Sequence, residues 1–250
     1  MEQLLWVLIL MAACGITAAV TAHLTEGKSR RRSIEEAFGR FLHPDIVLRV
    51  ADNPDRFLSG ELREITILFT DLEGFTTISE KADPATLFSV LSLYMDSMTE
   101  VIMQSGGTVD KYIGDALMAF WGAPCDQPDQ AERACGSILD MIARMPEVNK
   151  LVEARGFPPL KMRAGIYTGQ AMVGGAGTRH TCYTAIGDTV NLAARMEPLN
   201  KKYDTLIIVG EPTMKAAGNR FRFRHLDSVE VKGRKEAVDI YELTGRAESA

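Results

Sequence analysis

The most informative segment of this chain is Asp110-Lys111-Tyr112-Ile113-Gly114-Asp115-Ala116-Leu117-Met118-Ala119-Phe120-Trp121. Apolar and β-forming residues lie on both sides of Gly114-Asp115, a dipeptide suited to a two-residue hairpin turn. The pattern predicts a β-hairpin with Asp115 at its tip and Lys111 four residues earlier. A carboxylate and an amine so close on a rigid ribbon suit a charged ligand, although an Asp at a hairpin tip is as often a simple turn former.

A second carboxylate follows another predicted strand. Ile65 to Thr70 is a β-rich run, and it leads into Asp71-Leu72-Glu73-Gly74-Phe75-Thr76. The amides of Gly74, Phe75 and Thr76 could face phosphate oxygens. Two Asp side chains on adjacent strands are what a two-Mg²⁺ site for phosphoryl or nucleotidyl transfer needs. The alternative is a pair of unrelated surface carboxylates.

With these motifs the chain resembles the class III nucleotidyl cyclases. Three blocks carry the resemblance in the order in which the family has them, with Lys232-Gly233 as a fourth element. They are Phe69-Thr70-Asp71-Leu72-Glu73-Gly74-Phe75-Thr76, Lys111 to Asp115, and Tyr183-Thr184-Ala185-Ile186-Gly187-Asp188-Thr189-Val190-Asn191-Leu192-Ala193-Ala194-Arg195. The likeness runs from about Glu61 to about Leu243, which is most of the chain.

The resemblance implies a metal site and a substrate site. The family assigns two divalent ions, Mg²⁺ or Mn²⁺, to the positions matched here by Asp71 and Asp115, with the Leu72 carbonyl as a further ligand. It makes Asn191 the residue that orients the ribose and Arg195 a phosphate clamp in the transition state. Asn191 and Arg195 are four residues apart, so a helix would place them on one face. An exposed polar helix face is the alternative interpretation.

Two further phosphate-binding residues rest on the motif alone. Lys232 matches the family's lysine for the terminal phosphates, and Arg179 lies where some relatives have an arginine that contacts phosphate. A lone strand Lys is otherwise a solvated side chain.

The resemblance also implies a choice of base. Lys111 matches the position that reads the purine, where adenylate cyclases carry Lys and guanylate cyclases typically Glu. Its partner is Thr184, where many adenylate cyclases have Asp. Lys with Thr favours ATP over GTP, and a guanylate cyclase is the alternative. Thr at this position is similar to a bacterial and soluble-type subset, some of which respond to bicarbonate.

In the family the active site is completed by two chains. Asp71, Asp115 and Arg179 would come from one chain; the other would supply Lys111, Thr184, Asn191, Arg195 and Lys232. Because this chain retains both halves, we expect a head-to-tail homodimer with two equivalent ATP sites. The competing function is a catalytically silent, nucleotide-binding dimerisation module. A diguanylate cyclase is disfavoured because Tyr112-Ile113-Gly114-Asp115-Ala116 is not its hairpin motif.

The N-terminal part has the pattern of a membrane anchor. Residues 4–22 carry no charge, and nineteen helical residues span about 28 Å, close to the hydrocarbon core of a bilayer. Lys28, Arg30, Arg31 and Arg32 follow, so the positive-inside rule puts the rest of the chain in the cytoplasm. We expect a single-pass protein of the inner or plasma membrane. A cleaved signal peptide and the last helix of a larger sensor are the alternatives.

The expected organisation is a membrane helix in residues 1–25, a helical linker in 26–58, a catalytic domain in 59–246 and a tail in 247–250. Ser33-Ile34-Glu35-Glu36 is a capping-box pattern that opens the linker helix. Asp83-Pro84 predicts the start of a long helix in which Met98 is core filler. Gln127 to about Arg155 is predicted to be another helix, Leu160 to Ile166 a strand, and Gly174-Gly175-Ala176-Gly177 a tight turn. Within the domain the predicted order is strand, helix, hairpin, helix, strand. This order predicts an antiparallel-rich α+β sheet with helices on one face, and the family's fold is a ferredoxin-like palm with a βαββαβ core and additions.

Composition agrees with a globular domain. Hydrophobic residues make up 46% and charged residues 24% of the chain. The net charge of −5 argues against a nucleic-acid binder. The four cysteines have no CxxC spacing, which indicates free thiols in a reducing compartment.

Overall fold

The computed structural model describes residues 59–177, 182–230 and 237–247. The predicted membrane span and linker, together with Arg179 and Lys232, lie outside the described residues. No helix in the described part of the chain is long and apolar enough to cross a membrane.

The described domain has eight strands, five helices and a short 3₁₀ turn at Gly218–Arg220. The strands are β1 (Glu61–Leu72), β2 (Thr108–Ile113), β3 (Ala116–Trp121), β4 (Met162–Ala176), β5 (Cys182–Ile186), β6 (Ile207–Gly210), β7 (Phe221–Val229) and β8 (Val238–Arg246). The helices are α1 (Phe75–Ser79), α2 (Pro84–Gln104), α3 (Gln130–Glu153), α4 (Asp188–Tyr203) and α5 (Glu211–Ala217).

All eight strands form one sheet with the order β2-β3-β1-β4-β6-β8-β7, and β5 pairs with β4 off this path. Every pairing is antiparallel except that between β4 and β6. The predicted antiparallel-rich α+β sheet is therefore confirmed. The hairpin is confirmed too, because β2 and β3 pair on either side of Gly114-Asp115 and Ile113 lies opposite Ala116.

The expectation that all helices lie on one face is wrong. Alternate residues of β4, Met162, Ala164 and Ile166, belong to the core that α2 and α3 cover. Gly165 points the other way, and a Cβ built there would lie 2.3 Å from the Glu197 backbone nitrogen on α4. Successive side chains of a strand point to opposite faces. Helix α4 therefore covers the second face of the sheet, at the glycine that lets it approach.

Local contacts explain where the long helices begin. Asp83 caps α2 by accepting a hydrogen bond from the Thr86 amide at 2.9 Å, and Pro84 occupies the first helical position, as predicted. Helix α3 begins at Gln130 rather than at the predicted Gln127. The Gln127 side chain accepts from the Gly122 amide at 2.8 Å and donates to the Gly106 carbonyl at 2.7 Å, so this residue braces two loops instead.

Strand β4 extends well beyond Ile166, where the sequence pattern predicts its end, because Tyr167 to Ala176 continue to pair with β1 or β5. The tight turn expected at Gly174-Gly175-Ala176-Gly177 is wrong for the same reason: Gly174 lies opposite Thr184, and Gly175 lies opposite Tyr183. This extension carries β5, and with it Thr184, towards the hairpin. Met98, which is predicted to be core filler, is completely buried.

Candidate active site

Asp71 and Asp115 come together at one end of the sheet. Asp71 is the penultimate residue of β1, and Asp115 is in the β2–β3 turn. Asp115 Oδ2 accepts a hydrogen bond from the Leu72 amide at 3.3 Å, and the two carboxyl groups are close enough for Asp115 to raise the pKa of Asp71. The pairing of carboxylates that the sequence suggests is thus present within one chain.

The electrostatics of this pair favour a bound cation. Burial and the charge of Asp115 raise the pKa of Asp71 to about 6, against the lowering effects of the Leu72 amide and Arg163. Two adjacent carboxylates that resist ionising together are stabilised by a divalent ion. Mg²⁺ is commonly held by one or two carboxylates plus substrate phosphates, so this donor set fits it even though the described residues contain no larger cluster of His, Cys, Asp and Glu.

A third carboxylate, which the sequence does not point to, lies within electrostatic range of this pair. Burial, together with the charges of Asp71 and Asp115, raises the pKa of Glu197 to about 7, while Arg163 opposes the shift. Arg163 is opposite Asp71 across the β1–β4 pairing, and its Nη2 bonds Glu73 Oε1 at 2.5 Å. Glu197 reaches the site because α4 packs closely on Gly165. Only its position two residues after Arg195 could have drawn attention to it.

The Gly74 turn has the backbone shape that the sequence predicts. Gly74 has a φ of 70° and caps the five-residue helix α1. A Cβ at this position would meet nothing within 4 Å, so the glycine is required by the positive φ rather than by space. The Phe75 ring is buried, and its centroid lies 6.4 Å from that of the Phe157 ring, whereas Thr76 is exposed. The first amides of a helix have no intrahelical acceptor.

Lys111 and Thr184 also meet within one chain. Lys111 Nζ donates to Thr184 Oγ1 at 3.2 Å, which joins the edge strand β2 to β5. Asp110, for which the sequence predicts no role, contacts both residues. Thr184 Oγ1 donates to Asp110 Oδ2, whereas Lys111 Nζ is ion-paired at 3.2 Å with Asp110 Oδ1, which accepts no hydrogen bond. The Lys111 side chain is 45% exposed. The Lys111 ammonium is therefore the open part of this group, whereas Thr184 is 6% exposed.

Asn191 and Arg195 lie on one side of α4, as predicted from their spacing. Asn191 is exposed and Arg195 is half-buried, while Leu192, Ala193 and Met196 are buried on the opposite side. The contacts of the predicted residues therefore fall into a carboxylate group at Asp71 and Asp115 and a lysine–threonine group at Lys111 and Thr184.

A family model described as the adenylate and guanylate cyclase catalytic domain matches residues 58–245. A sequence relative is adenylate cyclase 1 of Rhizobium meliloti (strain 1021), 39% identical over 184 residues. That alignment covers 73% of this chain but 28% of the relative, so the chain spans less than a third of that protein's length.

Two solved structures have the same fold. The guanylyl cyclase Cya2 is 38% identical with a TM-score of 0.71, and the match covers 76% of this chain and 95% of that one. The adenylyl cyclase CyaB from P. aeruginosa is 31% identical with a TM-score of 0.70, over 77% of this chain and 98% of that one. The similar proteins thus include both nucleotide specificities.

Proposed function

Because the chain belongs to the family of adenylate and guanylate cyclase catalytic domains, we propose that it converts ATP to 3′,5′-cyclic AMP and pyrophosphate. The observation that carries this proposal is the adjacency of Asp71 and Asp115, whose mutual repulsion a divalent cation would relieve. Residues that merely filled turn positions would not be expected to meet in this way.

In the proposed reaction the ribose 3′-oxygen bonds to the α-phosphorus and loses its proton, and the bond from that phosphorus to the bridging oxygen breaks. Pyrophosphate leaves with the electron pair. Asp71 and Asp115, with the Leu72 carbonyl, would hold two Mg²⁺ or Mn²⁺ ions. When bound, such ions activate the attacking hydroxyl and neutralise phosphate charge. Asn191 would orient the ribose and Arg195 would stabilise the transition-state phosphate.

The Gly74 turn and two basic residues would bind the phosphates. The amides of Phe75 and Thr76 lie at a helix start, where anions are favoured. Lys232 and Arg179 are assigned to the terminal phosphates by their sequence positions alone.

The proposed base is adenine. Lys111 can donate to adenine N1, and the Thr184 oxygen can accept from the 6-amino group. A guanylate cyclase is the second candidate, and the likeness to the guanylyl cyclase Cya2 favours it.

We infer that the active enzyme is a homodimer. Three large apolar side chains form an exposed cross-strand row, in which Met172 lies opposite both Leu62 and Ile186. They are 46%, 66% and 60% exposed respectively. A contiguous apolar row on a sheet is a typical contact surface. Head-to-tail pairing would unite the carboxylate group of one chain with the lysine–threonine group of the other.

We also propose that residues 4–22 anchor the protein in the inner or plasma membrane with the catalytic domain in the cytoplasm. The support is the uncharged run and the basic residues that follow it. A preceding sensor domain is compatible with this arrangement.

An equimolar mixture of ATP and GTP tests the proposal directly. We expect cyclic AMP to dominate the products that are separated by chromatography, with Mg²⁺ or Mn²⁺ present. Dominant cyclic GMP would establish the guanylate cyclase instead. Nucleotide binding without either product, in a folded dimer, would establish the silent regulatory module.

A further inference from the structure

Asp110 is a buried carboxylate in an unusual position. The β2–β3 pairing shifts between Val109 and Lys111, so that Asp110 is the extra residue of a β-bulge. Successive residues of a regular strand point to opposite faces, and a bulge changes where they point. Asp110 and Lys111, although adjacent, therefore both contact Thr184. The Asp110 side chain has no exposed surface.

The hydrogen bonds of this group fix the direction of the Thr184 hydroxyl. A hydroxyl has one proton to donate and two lone pairs, and a carboxylate only accepts. Thr184 gives its single proton to Asp110 Oδ2. One lone pair accepts from Lys111 Nζ at 3.2 Å. Asp110 Oδ1 is ion-paired with Lys111 Nζ at 3.2 Å but accepts no hydrogen bond. What remains for a ligand is one lone pair on Thr184 and the protons of the Lys111 ammonium that Thr184 does not accept.

The free acceptor on Thr184 and the free donor on Lys111 match adenine and conflict with guanine. Adenine presents a 6-amino donor beside the N1 acceptor, whereas guanine presents the O6 acceptor beside an N1–H donor. A threonine whose hydroxyl could rotate would accept from adenine or donate to O6 equally well. With its proton held by Asp110, the Thr184 oxygen faces O6 with a lone pair, and an unmatched polar contact is strongly disfavoured.

We propose that Asp110 is a specificity-determining positioning residue, which holds the Thr184 hydroxyl as an acceptor and so selects 6-aminopurine over 6-oxopurine nucleotides. The inference rests on the proposed function, because it needs a purine nucleotide at Lys111 and Thr184. It acts through Thr184 and does not require Asp110 to touch the substrate.

The test is the selectivity of Asp110→Asn between ATP and inosine triphosphate, whose base has O6 and N1–H but lacks the 2-amino group of guanine. Lys111 requires an acceptor, so the oxygen of the introduced carboxamide would face the ammonium and its NH₂ group would donate to Thr184. The hydroxyl proton is then released to bond O6. We expect the ratio of kcat/KM for ATP over inosine triphosphate to fall about 10- to 100-fold, and the ratio of dissociation constants to change in the same direction.

A Thr184→Val background provides the matched control. If Asp110 acts through the hydroxyl, Asp110→Asn should change the selectivity of Thr184→Val by less than about twofold. Asp110→Leu serves as a second variant that also removes the acceptor, should the Asn variant not fold. The exposed Asp96→Asn should keep the original selectivity.

Three results would overturn the inference: unchanged selectivity in a folded Asp110 variant, an equal change in the Thr184→Val background, or equal binding of both nucleotides by the original chain. A chain that makes no cyclic product but binds ATP selectively, and loses that selectivity in Asp110→Asn, would overturn the proposed function and support this inference.

Discussion

The carboxylate of Asp115 accepts a hydrogen bond from the backbone amide of Leu72 at 3.3 Å. This bond ties the tip of the β2–β3 hairpin to the end of β1 and sets Asp115 beside Asp71. The outer strand of that hairpin does not touch β1, because β3 lies between β2 and β1. Two carboxylates are thereby brought together by a single hairpin turn, at an electrostatic cost that a divalent ion would offset.

Replacing Asp71 should increase the stability of the metal-free protein but decrease its cyclase activity. Because the pKa of Asp71 is raised from 3.8 to about 6, its ionised form at pH 7 destabilises the metal-free fold. We expect Asp71→Asn to raise the free energy of unfolding without metal by about 1 kcal/mol, after allowing for solvent screening. Cyclase activity should fall on the order of 100-fold or more. Urea unfolding in the presence of a chelator measures the change in stability, and a cyclase assay measures the change in activity.

The effect of Mn²⁺ on the Tm provides a control for Asp71→Asn. Millimolar Mn²⁺ should raise the Tm of the original chain and of Asp96→Asn, but not that of Asp71→Asn, because a ligand stabilises only the state that binds it. A lower free energy of unfolding for metal-free Asp71→Asn would contradict the strained carboxylate pair.

Glu197 should make stability depend on pH. Its pKa is raised from 4.5 to about 7, so the folded state binds more protons than the unfolded state between these values. Stability from this group is fully present below about pH 4.5 and is lost as the pH rises through 7. Asp71 contributes with the same sign between 3.8 and about 6. We expect Glu197→Gln to be more stable than the original chain at pH 8 by about 1 kcal/mol, with the difference vanishing near pH 4.

The measurement is urea unfolding of the metal-free protein at pH 4, 6 and 8, and the exposed Glu80→Gln serves as the comparison. The same pH profile for Glu197→Gln and the original chain would mean that burial and the two aspartates do not raise the pKa of Glu197.

Packing of α4 on β4 should be sensitive to one methyl group. A Cβ at Gly165 would lie 2.3 Å from the Glu197 nitrogen and 2.8 Å from the Ala193 carbonyl oxygen. We expect Gly165→Ala to lower the free energy of unfolding by about 2 kcal/mol, and to reduce activity because α4 also carries Asn191 and Arg195.

Gly136 is a control position at which a Gly→Ala substitution should not lower the free energy of unfolding. It lies within α3, and the nearest atom to its Cβ would be Arg246 Nη2 at 3.6 Å. Gly136→Ala should be neutral or stabilise by up to about 1 kcal/mol. Thermal unfolding of both variants decides the comparison, and equal Tm values for the two would contradict the close contact at Gly165.

Mixed dimers should reveal a shared site. If Asp71 and Asn191 come from different chains at each site, Asp71→Ala and Asn191→Ala are each inactive as homodimers. A dimer with one chain of each kind retains one intact site. Random mixing should restore about a quarter of the original activity, since half of the dimers are mixed and each has one of two sites. Absence of recovery in dimers that are demonstrably mixed would exclude the shared arrangement.

The sequence predicted the features that depend on local pattern. Gly114-Asp115 fits a two-residue turn, and Asp83-Pro84 fits a helix start, so the hairpin and α2 could be placed without any tertiary contact. The spacing of Asn191 and Arg195 on a helix is likewise local. These elements set the order of the fold and most of the candidate site.

The features that the sequence did not reveal depend on contacts between distant segments. Glu197 matters because α4 reaches the sheet at Gly165, which lies on a different element far earlier in the chain. Asp110 matters because a bulge breaks the alternation that strand prediction assumes. Gly174 and Gly175 have the sequence pattern of a turn, but they lie in β4 because they pair with β5.

The most direct test of the account is the formation of cyclic AMP from ATP by the original chain, Asp115→Ala and the exposed control Asp96→Ala, at equal concentrations of folded protein. We predict cyclic AMP from the original chain and from Asp96→Ala, with the product lost in Asp115→Ala. Undiminished cyclic AMP from Asp115→Ala, or none from the original dimer with either Mg²⁺ or Mn²⁺, would contradict the proposed site.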